Sequence, residues 1–252
     1  MLSALCPPAP LDKYMNVVYY LNIVLLQHGI ITMTATERRI RGKQELRKKI
    51  LDSARDLFVA RGYDGVTLRG IADAIEYAPG TIYSHFKDKD ALIQALCLAD
   101  FEAFETNFPR ATLPADPLDA IREIGKAYIQ FALSHPNHYR LMFMNRIPVE
   151  PPPEALEKRG DPARDGYALL RQTVQRAIDA DRFRHEFRDP DLLAQTLWAG
   201  VHGMASLEIA MGVDPWHSWA PIEARVEAMI EAMFYGVVRE RAERAQGAGG
   251  LP

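Results

Sequence analysis

Between Thr67 and Asp90 the chain reads Thr-Leu-Arg-Gly-Ile-Ala-Asp-Ala-Ile-Glu-Tyr-Ala-Pro-Gly-Thr-Ile-Tyr-Ser-His-Phe-Lys-Asp-Lys-Asp. Side chains suited to recognising a nucleic acid are concentrated here. The pattern is two short helices joined by a tight turn, then the start of another. That is a helix-turn-helix, which lays one short helix in a DNA groove. Leu57, Phe58, Leu68, Ile71, Ala72, Ile82 and Phe86 are expected to fill a small core. The third helix is then left showing Tyr77, Ala78, Pro79, Thr81, Tyr83, Ser84 and His85. Ala and Pro can touch thymine methyls, and Thr and Tyr can bond base edges or phosphates. Lys87 and Lys89 flank the helix within reach of phosphates. Thr67 and Arg69 stand at a helix N-terminus, which favours anions.

Other chemistries find less support. The sequence holds no Gly-rich phosphate loop, no serine nucleophile turn and no Cys/His cluster. His135 and His138 are three apart, but Pro136 lies between them at a helix start and no carboxylate sits at ligand spacing. His135 is therefore expected to cap or pack. His185-Glu186 has no partner motif. No catalytic residue, metal site or cofactor is expected, and a helical enzyme is the remote alternative.

The elements that must position these residues read as helices throughout, with no sustained strand alternation. Leu46, Ile50, Ala54, Leu57 and Phe58 share a face of a first helix ending near Arg61-Gly62, where Gly62 is a natural left-handed terminator. Thr67 is a good N-cap for the second helix, with Leu68, Ile71, Ala72 and Ile75 inward. Pro79 suits the first turn of the third. Asp88 caps a fourth helix of about 89–107, with a stripe of Ile93, Cys97, Phe101, Phe104 and Phe108. Beyond a linker at Pro109, Pro114 and Pro117, the pairs Asp116-Pro117, Asp161-Pro162 and Asp189-Pro190 each announce a helix, as does His135-Pro136. Helices are expected near 117–134, 136–146, 162–181, 190–211 and 221–243, with a stiff loop at Pro148–Pro153 and a disordered tail from Gln246. The fold class is all-α, about nine helices in two units: a three-helix head at 33–92 and a helical bundle at 93–252.

Charge follows the same division. Residues 33–92 carry 12 Lys+Arg against 9 Asp+Glu, and residues 93–252 carry 17 against 23. The run Arg38-Arg-Ile-Arg-Gly-Lys43 with Arg47-Lys-Lys49 puts a basic arm beside the helix-turn-helix, as DNA binding requires. Two cysteines in 252 residues exclude a disulfide framework and suit a reducing cytoplasm. Residues 15–31 are apolar but broken by Asn16, Asn22, Gln27 and His28, and fall short of the roughly 20 apolar residues a bilayer core asks for. The favoured reading is that translation starts at Met33 and that 1–32 is an over-long start. An extra packed helix or a membrane anchor are the alternatives.

Thr67, Ile71-Ala72, Gly80-Thr81-Ile82-Tyr83, His85-Phe86 and Lys89 together resemble the head of the tetracycline-repressor (TetR) family of bacterial regulators, from about Gln44 to Leu96. The resemblance implies that Thr67, Tyr83 and Lys89 contact phosphates and that Tyr77, Ala78, Pro79, Thr81 and His85 approach bases of a double-stranded operator. Glu76 departs from the pattern, standing where the family most often has Gly. A left-handed conformation there costs a non-glycine residue about 1 kcal/mol. In the body, Leu133–Met144 and Trp198-Ala-Gly-Val-His-Gly203 resemble a subgroup with a Trp-x-x-x-His-Gly signature.

Trp198 and His202 are i,i+4 neighbours on one helix face, and Gly200 and Gly203 permit close backbone approach. Phe104, Phe108, Tyr128, Phe131, Met142, Phe143, Tyr167, Trp198 and His202 are candidates to line an apolar cavity for a small hydrophobic ligand. Leu193, Leu197, Val201, Met204, Ile222, Val226, Met229, Ile230, Met233 and Val237 are candidates for a homodimer interface across a two-fold axis. The expectation is a cytoplasmic, homodimeric DNA-binding regulator. Repression, relieved by the ligand, follows from the resemblance alone.

Overall fold

The computed structural model describes residues 34–239. The apolar run at 15–31, the extension to residue 32 and the tail from Gln246 lie outside them. The described residues hold ten α-helices and no strand, and one isolated bridge pairs Phe183 with Val238. In chain order these are α1 (Ala35–Arg61), α2 (Leu68–Ala74), α3 (Pro79–Tyr83), α4 (Lys89–Thr106), α5 (Pro117–Ser134), α6 (Pro136–Tyr139), α7 (Pro153–Leu156), α8 (Gly166–Asp179), α9 (Pro190–Met211) and α10 (Ile222–Val237). Up to Lys49 the chain is one unit, and from Ile50 onward it is a second, compact one.

In the first unit, Thr34 and Glu37 form a reciprocal capping box. The Glu37 N–H donates to Thr34 Oγ1 at 3.2 Å and the Thr34 N–H to Glu37 Oε2 at 2.8 Å. Thr34-Ala-Thr-Glu37 carries that signal in its residue types and spacing. In the second unit, Thr67, Asp88, Asp116 and Asp189 each accept backbone N–H groups at the start of the expected helices. Asp161-Pro162 is the exception. Asp165 caps α8 instead, accepting from the N–H of Tyr167 and Ala168, so the helix begins four residues later than expected. The expected helix 136–146 is also not uniform. Four α-helical residues give way to a π-helical turn, Arg140–Met144. A short α7 occupies the end of the expected loop.

The core of the body is built by α5, α8, α9 and α10 around Phe104, Tyr128, Phe131, Tyr139, Val174, Leu197 and Ile230. Ile50, Ala54, Phe58, Val66, Leu68, Ile71, Ile82 and Phe86 are buried in the helix-turn-helix, while Leu57 is only half-buried.

The stripe expected on α4 is rotated. Leu92, Ile93, Leu96, Asp100 and Phe104 are its buried residues; Cys97 is half-buried and Phe101 is 42% exposed. A charged residue therefore occupies the centre of the inward face. Asp100, 0% exposed, takes Nε of Arg55 at 3.0 and 3.1 Å and Nη2 at 2.6 Å, while Arg55 Nη1 reaches Asp52 at 2.8 Å. Burial alone lowers the pKa of the guanidinium, but its hydrogen bonds with Asp100 and Asp52 outweigh that and raise it overall.

Removing one member of a buried pair leaves the other uncompensated and costs about 3–5 kcal/mol, whereas replacing both by apolar residues is close to neutral. Asp100→Ala is therefore expected to lose stability of that order in urea titrations, and Arg55→Met/Asp100→Leu to recover most of it. Equal losses in both variants would show that the pair does not hold α1 to α4.

Candidate nucleic-acid interface and ligand cavity

The turn between α2 and α3 is closed by backbone chemistry. Glu76 has φ +61°, the Tyr77 N–H donates to Ala72 O at 3.0 Å and the Glu76 N–H to Asp73 O at 3.2 Å. These are the paired bonds of a Schellman motif, with Glu76 where glycine is usual. The turn keeps its shape although Glu76 bears the left-handed strain. Pro79 then occupies the first position of α3. Ile82 and Phe86 point inward. Tyr77, Ala78, Pro79 and Tyr83 are exposed, and Thr81 and His85 are half-buried.

The flanking polar groups divide by role. Thr67 Oγ1 accepts the Gly70 N–H at 3.0 Å, and Arg69 is exposed beside it. Lys87 extends outward, with Asp88 at 3.8 Å. Lys89 turns inward: its Nζ donates to the carbonyls of Tyr63 and Val66 at 3.0 and 3.2 Å and lies 3.9 Å from the Tyr63 ring centroid. Its local work is to fasten the loop before α2.

In the body a cavity of about 510 Å³ opens among α4, α5, α8, α9 and α10. Phe104, Phe108, Tyr128, Met142, Phe143, Tyr167 and Trp198 line it. Phe131 does not; it is buried with its ring stacked 4.9 Å from His135. That contact accounts for His135, which packs and makes no side-chain cap. His202 stands behind the wall, where Nδ1 lies 3.0 Å from Tyr128 Oη and 2.6 Å from Tyr139 Oη. The two phenols are 3.2 Å apart. Burial pushes both phenols up and holds His202 below the usual imidazole range. The π-helical turn places Phe143 against Phe104, Tyr128, Tyr139 and Trp198.

His138 meets a carboxylate after all. Asp100 from α4 lies 3.8 Å from its Nε2, a neighbour that local spacing does not reveal. Burial nevertheless holds His138 low. Arg55 already occupies Asp100, and among the described residues no group of three His, Cys, Asp or Glu side chains is placed to hold a metal ion. No described helix is long and apolar enough to cross a membrane.

The stripe suggested for a dimer interface needs correction. Leu193, Leu197, Val201, Val226, Ile230 and Val237 are buried in the protomer's own core, and Met204, Ile222, Met229 and Met233 pack against it. The outward face of α9 carries Leu192, Thr196, Ala199, Gly203 and Leu207, and that of α10 carries Ala224, Ala228, Ala232 and Tyr235. Apolar periodicity marks the side with the most apolar mass, and in these helices the protomer core takes it. Gly200 does allow close packing, since a Cβ there would meet Met233 Sδ at 2.3 Å, but Gly203 faces open space.

A helix-turn-helix joined to a helical body with an apolar cavity is the architecture of a one-component regulator. Residues 50–96 match the family model for bacterial regulatory proteins of the tetR family, and residues 121–233 match a tetracyclin repressor-like C-terminal domain. The chain belongs to the TetR family of transcriptional regulators. Over 59 residues it is 41% identical to the HTH-type transcriptional regulator UidR of Escherichia coli strain K12, covering 23% of this chain and 30% of that protein. Over 56 residues it is 48% identical to the HTH-type transcriptional repressor Rv1474c of Mycobacterium tuberculosis, covering 22% and 30%. The chain thus spans about 30% of the length of these curated relatives. Among solved structures, a protein of unknown function from Rhodococcus sp. RHA1 superposes with a TM-score of 0.60 at 24% identity, over 77% of this chain and 96% of that one. The ketosteroid transcriptional regulator KstR2 of Mycobacterium tuberculosis gives 0.57 at 16%, over 77% and 95%. At these identities the likeness is one of fold.

Two outcomes are expected. Glu76→Gly should relieve the left-handed strain, less the added entropy of glycine in the unfolded chain, and stabilise the protein by about 0.5–1 kcal/mol in urea titrations. A loss of stability would mean that the Glu76 side chain contributes more than its backbone strain costs. His138 and His202 are held neutral by burial, so an unfolded chain with ordinary imidazoles near pH ~6.5 takes up protons first as pH falls. The unfolded state then binds more protons, and stability drops with acid through that window. Melting temperature should fall between about pH 7.5 and 5.5, and His202→Asn should flatten part of that fall. An unchanged slope would remove His202 from the account.

Proposed function

We propose that this protein is a cytoplasmic, homodimeric DNA-binding transcriptional repressor that releases its operator when a small hydrophobic ligand occupies the body cavity. The observation that carries the reading is the division of α3 and its flanks: Ile82 and Phe86 are spent on the core, while Tyr77, Ala78, Pro79 and Tyr83 are exposed. Such a short helix presents small and hydroxylated side chains to base edges, with Lys87 beside it for a phosphate. The relatives' names, a regulator and a repressor, support the same direction. Thr67, Arg69, Thr81 and His85 complete the proposed contact surface, and Lys89 contributes by holding its loop.

The dimer is proposed through the outward faces of α9 and α10, where Ala199, Gly203, Ala224, Ala228 and Ala232 let a second copy's helices approach closely. A two-fold pair of heads suits two half-sites one DNA turn apart. Coupling is proposed to run through α4. Its Asp100 grips Arg55 of α1, and its Leu98, Phe101 and Phe104 line the cavity. A ligand acts only if it favours one placement of α4 over another.

Fluorescence anisotropy with the full chain tests this, using the duplex upstream of its own gene against a scrambled duplex. Specific binding is expected to exceed non-specific binding by at least ~10³. Equal affinity for both would count against that operator. Lys87→Ala should weaken binding to all sequences alike and reduce the salt slope by about 1. An unchanged slope would take Lys87 off the phosphate backbone.

A further inference from the structure

The cavity wall has two chemistries. Phe104, Tyr128, Phe143 and Trp198 make an aromatic side, whereas the segment leading into α8 brings Lys158, Arg159 and Arg164 to the same space. Arg122 also reaches it but is already committed. It pairs with Glu231 at 2.9 Å, lies 3.8 Å from Asp119, and sits 4.1 Å from the Phe234 ring centroid. The two carboxylates that line the cavity are committed as well. Glu105 pairs with Arg110 and accepts the Gly166 N–H at 2.9 Å. Asp165 accepts the N–H groups of Gly160, Tyr167 and Ala168 at 2.8–3.2 Å. Lys158, Arg159 and Arg164, by contrast, make no ion pair among the described residues. Lys158 and Arg164 also border a smaller adjoining hollow of about 300 Å³, whose other charged residues are Glu102, Glu105 and Arg110. Both cations therefore mark the seam where an apolar chamber meets a polar one.

We propose that the effector is an amphipathic anion. Its carboxylate or phosphate head is held at Lys158, Arg159 and Arg164, and its apolar body lies among Phe104, Tyr128, Phe143 and Trp198. A guanidinium forks onto such oxygens and a lysine ammonium serves as a point charge beside it. A cationic amphiphile would meet three like charges, and the two carboxylates that line the chamber already have partners. A neutral ligand would leave the three cations, of which Arg159 and Arg164 are exposed, to solvent but would still fill the chamber. This inference rests on the reading of the cavity as the effector site.

Calorimetry of the full chain separates the two ideas. The probes are straight-chain fatty acids and alkyl phosphates of graded length, each against the primary amide of the same length. The anions are expected to bind at least about tenfold more tightly than the amides, the gap narrowing as sodium chloride is raised. Lys158→Gln/Arg159→Gln/Arg164→Gln should erase that gap while leaving amide affinity and melting temperature unchanged. Equal binding of acid and amide to the wild-type protein overturns the anionic effector but leaves the cavity as an apolar ligand site. Binding of no probe of either kind overturns both. Carboxylate and phosphate series that differ in affinity identify which head group the seam prefers.

Discussion

A charged pair in an apolar interior is the constraint on which the arrangement depends. Asp100 has no contact with solvent, and its negative charge is tolerable only because Arg55 supplies a forked set of donors. That fork has a narrow angular tolerance, so it dictates more than proximity: it sets the rotation of α4 about its own axis. With Asp100 facing α1, Leu96 and Leu92 turn inward one and two turns earlier, and Phe104 turns inward one turn later. Phe101 and Cys97 are displaced to the flank. The cavity inherits Phe104 on that account, and the helix that lines the cavity is the one clamped to Arg55 of α1.

Around this fixed point the neighbouring contacts are softer. Asn137 Nδ2 donates to Asp56 at 2.9 Å and Gln94 to the Glu150 carbonyl at 3.1 Å. Such neutral or singly charged bonds contribute less than a buried fork. The body is held instead by aromatic edge-to-face packing, with Phe104 within 5.6 Å of the rings of Phe108, Tyr128, Phe131 and Phe143. Edge-to-face pairs accommodate small shifts more readily than a bidentate ion pair does.

What could be read from the sequence follows from the range of each physical cause. Caps and terminators act within four residues, so Gly62, Thr67, Pro79, Asp88, Asp116 and Asp189 disclosed their helices directly. Asp161-Pro162 misled because Asp165 offers an equal carboxylate four residues later, and a local rule does not rank two adjacent caps. The same limit hid Asp100. Nothing in its own helix distinguishes a buried aspartate from a solvated one, because its partner is 45 residues away. The stripes of α9 and α10 were visible, but periodicity names an inward side without saying whether a protomer core or a second copy lies against it. Most of the cavity's aromatic residues were legible as a set. The cations from the segment before α8 were not, since loop residues carry no periodicity at all.

The grouping of Tyr128, Tyr139 and His202 has an accounting consequence of its own. A neutral imidazole offers one lone pair at Nδ1 when its other nitrogen carries the hydrogen, yet two hydroxyls lie within reach of it. With the heavy atoms unmoved, one arrangement runs from Tyr128 to Tyr139 and on to His202. In another, Tyr128 donates to the ring while Tyr139 turns to the His202 carbonyl, 3.4 Å away. The trio therefore owns one more mobile hydrogen than the ring can accept. Tyr128, the member that lines the chamber, can lend its hydrogen to an incoming oxygen while the two behind it remain fully bonded to each other. An oxygen that took this hydrogen would cost the wall the Tyr128–Tyr139 bond and leave the Tyr139–His202 bond in place.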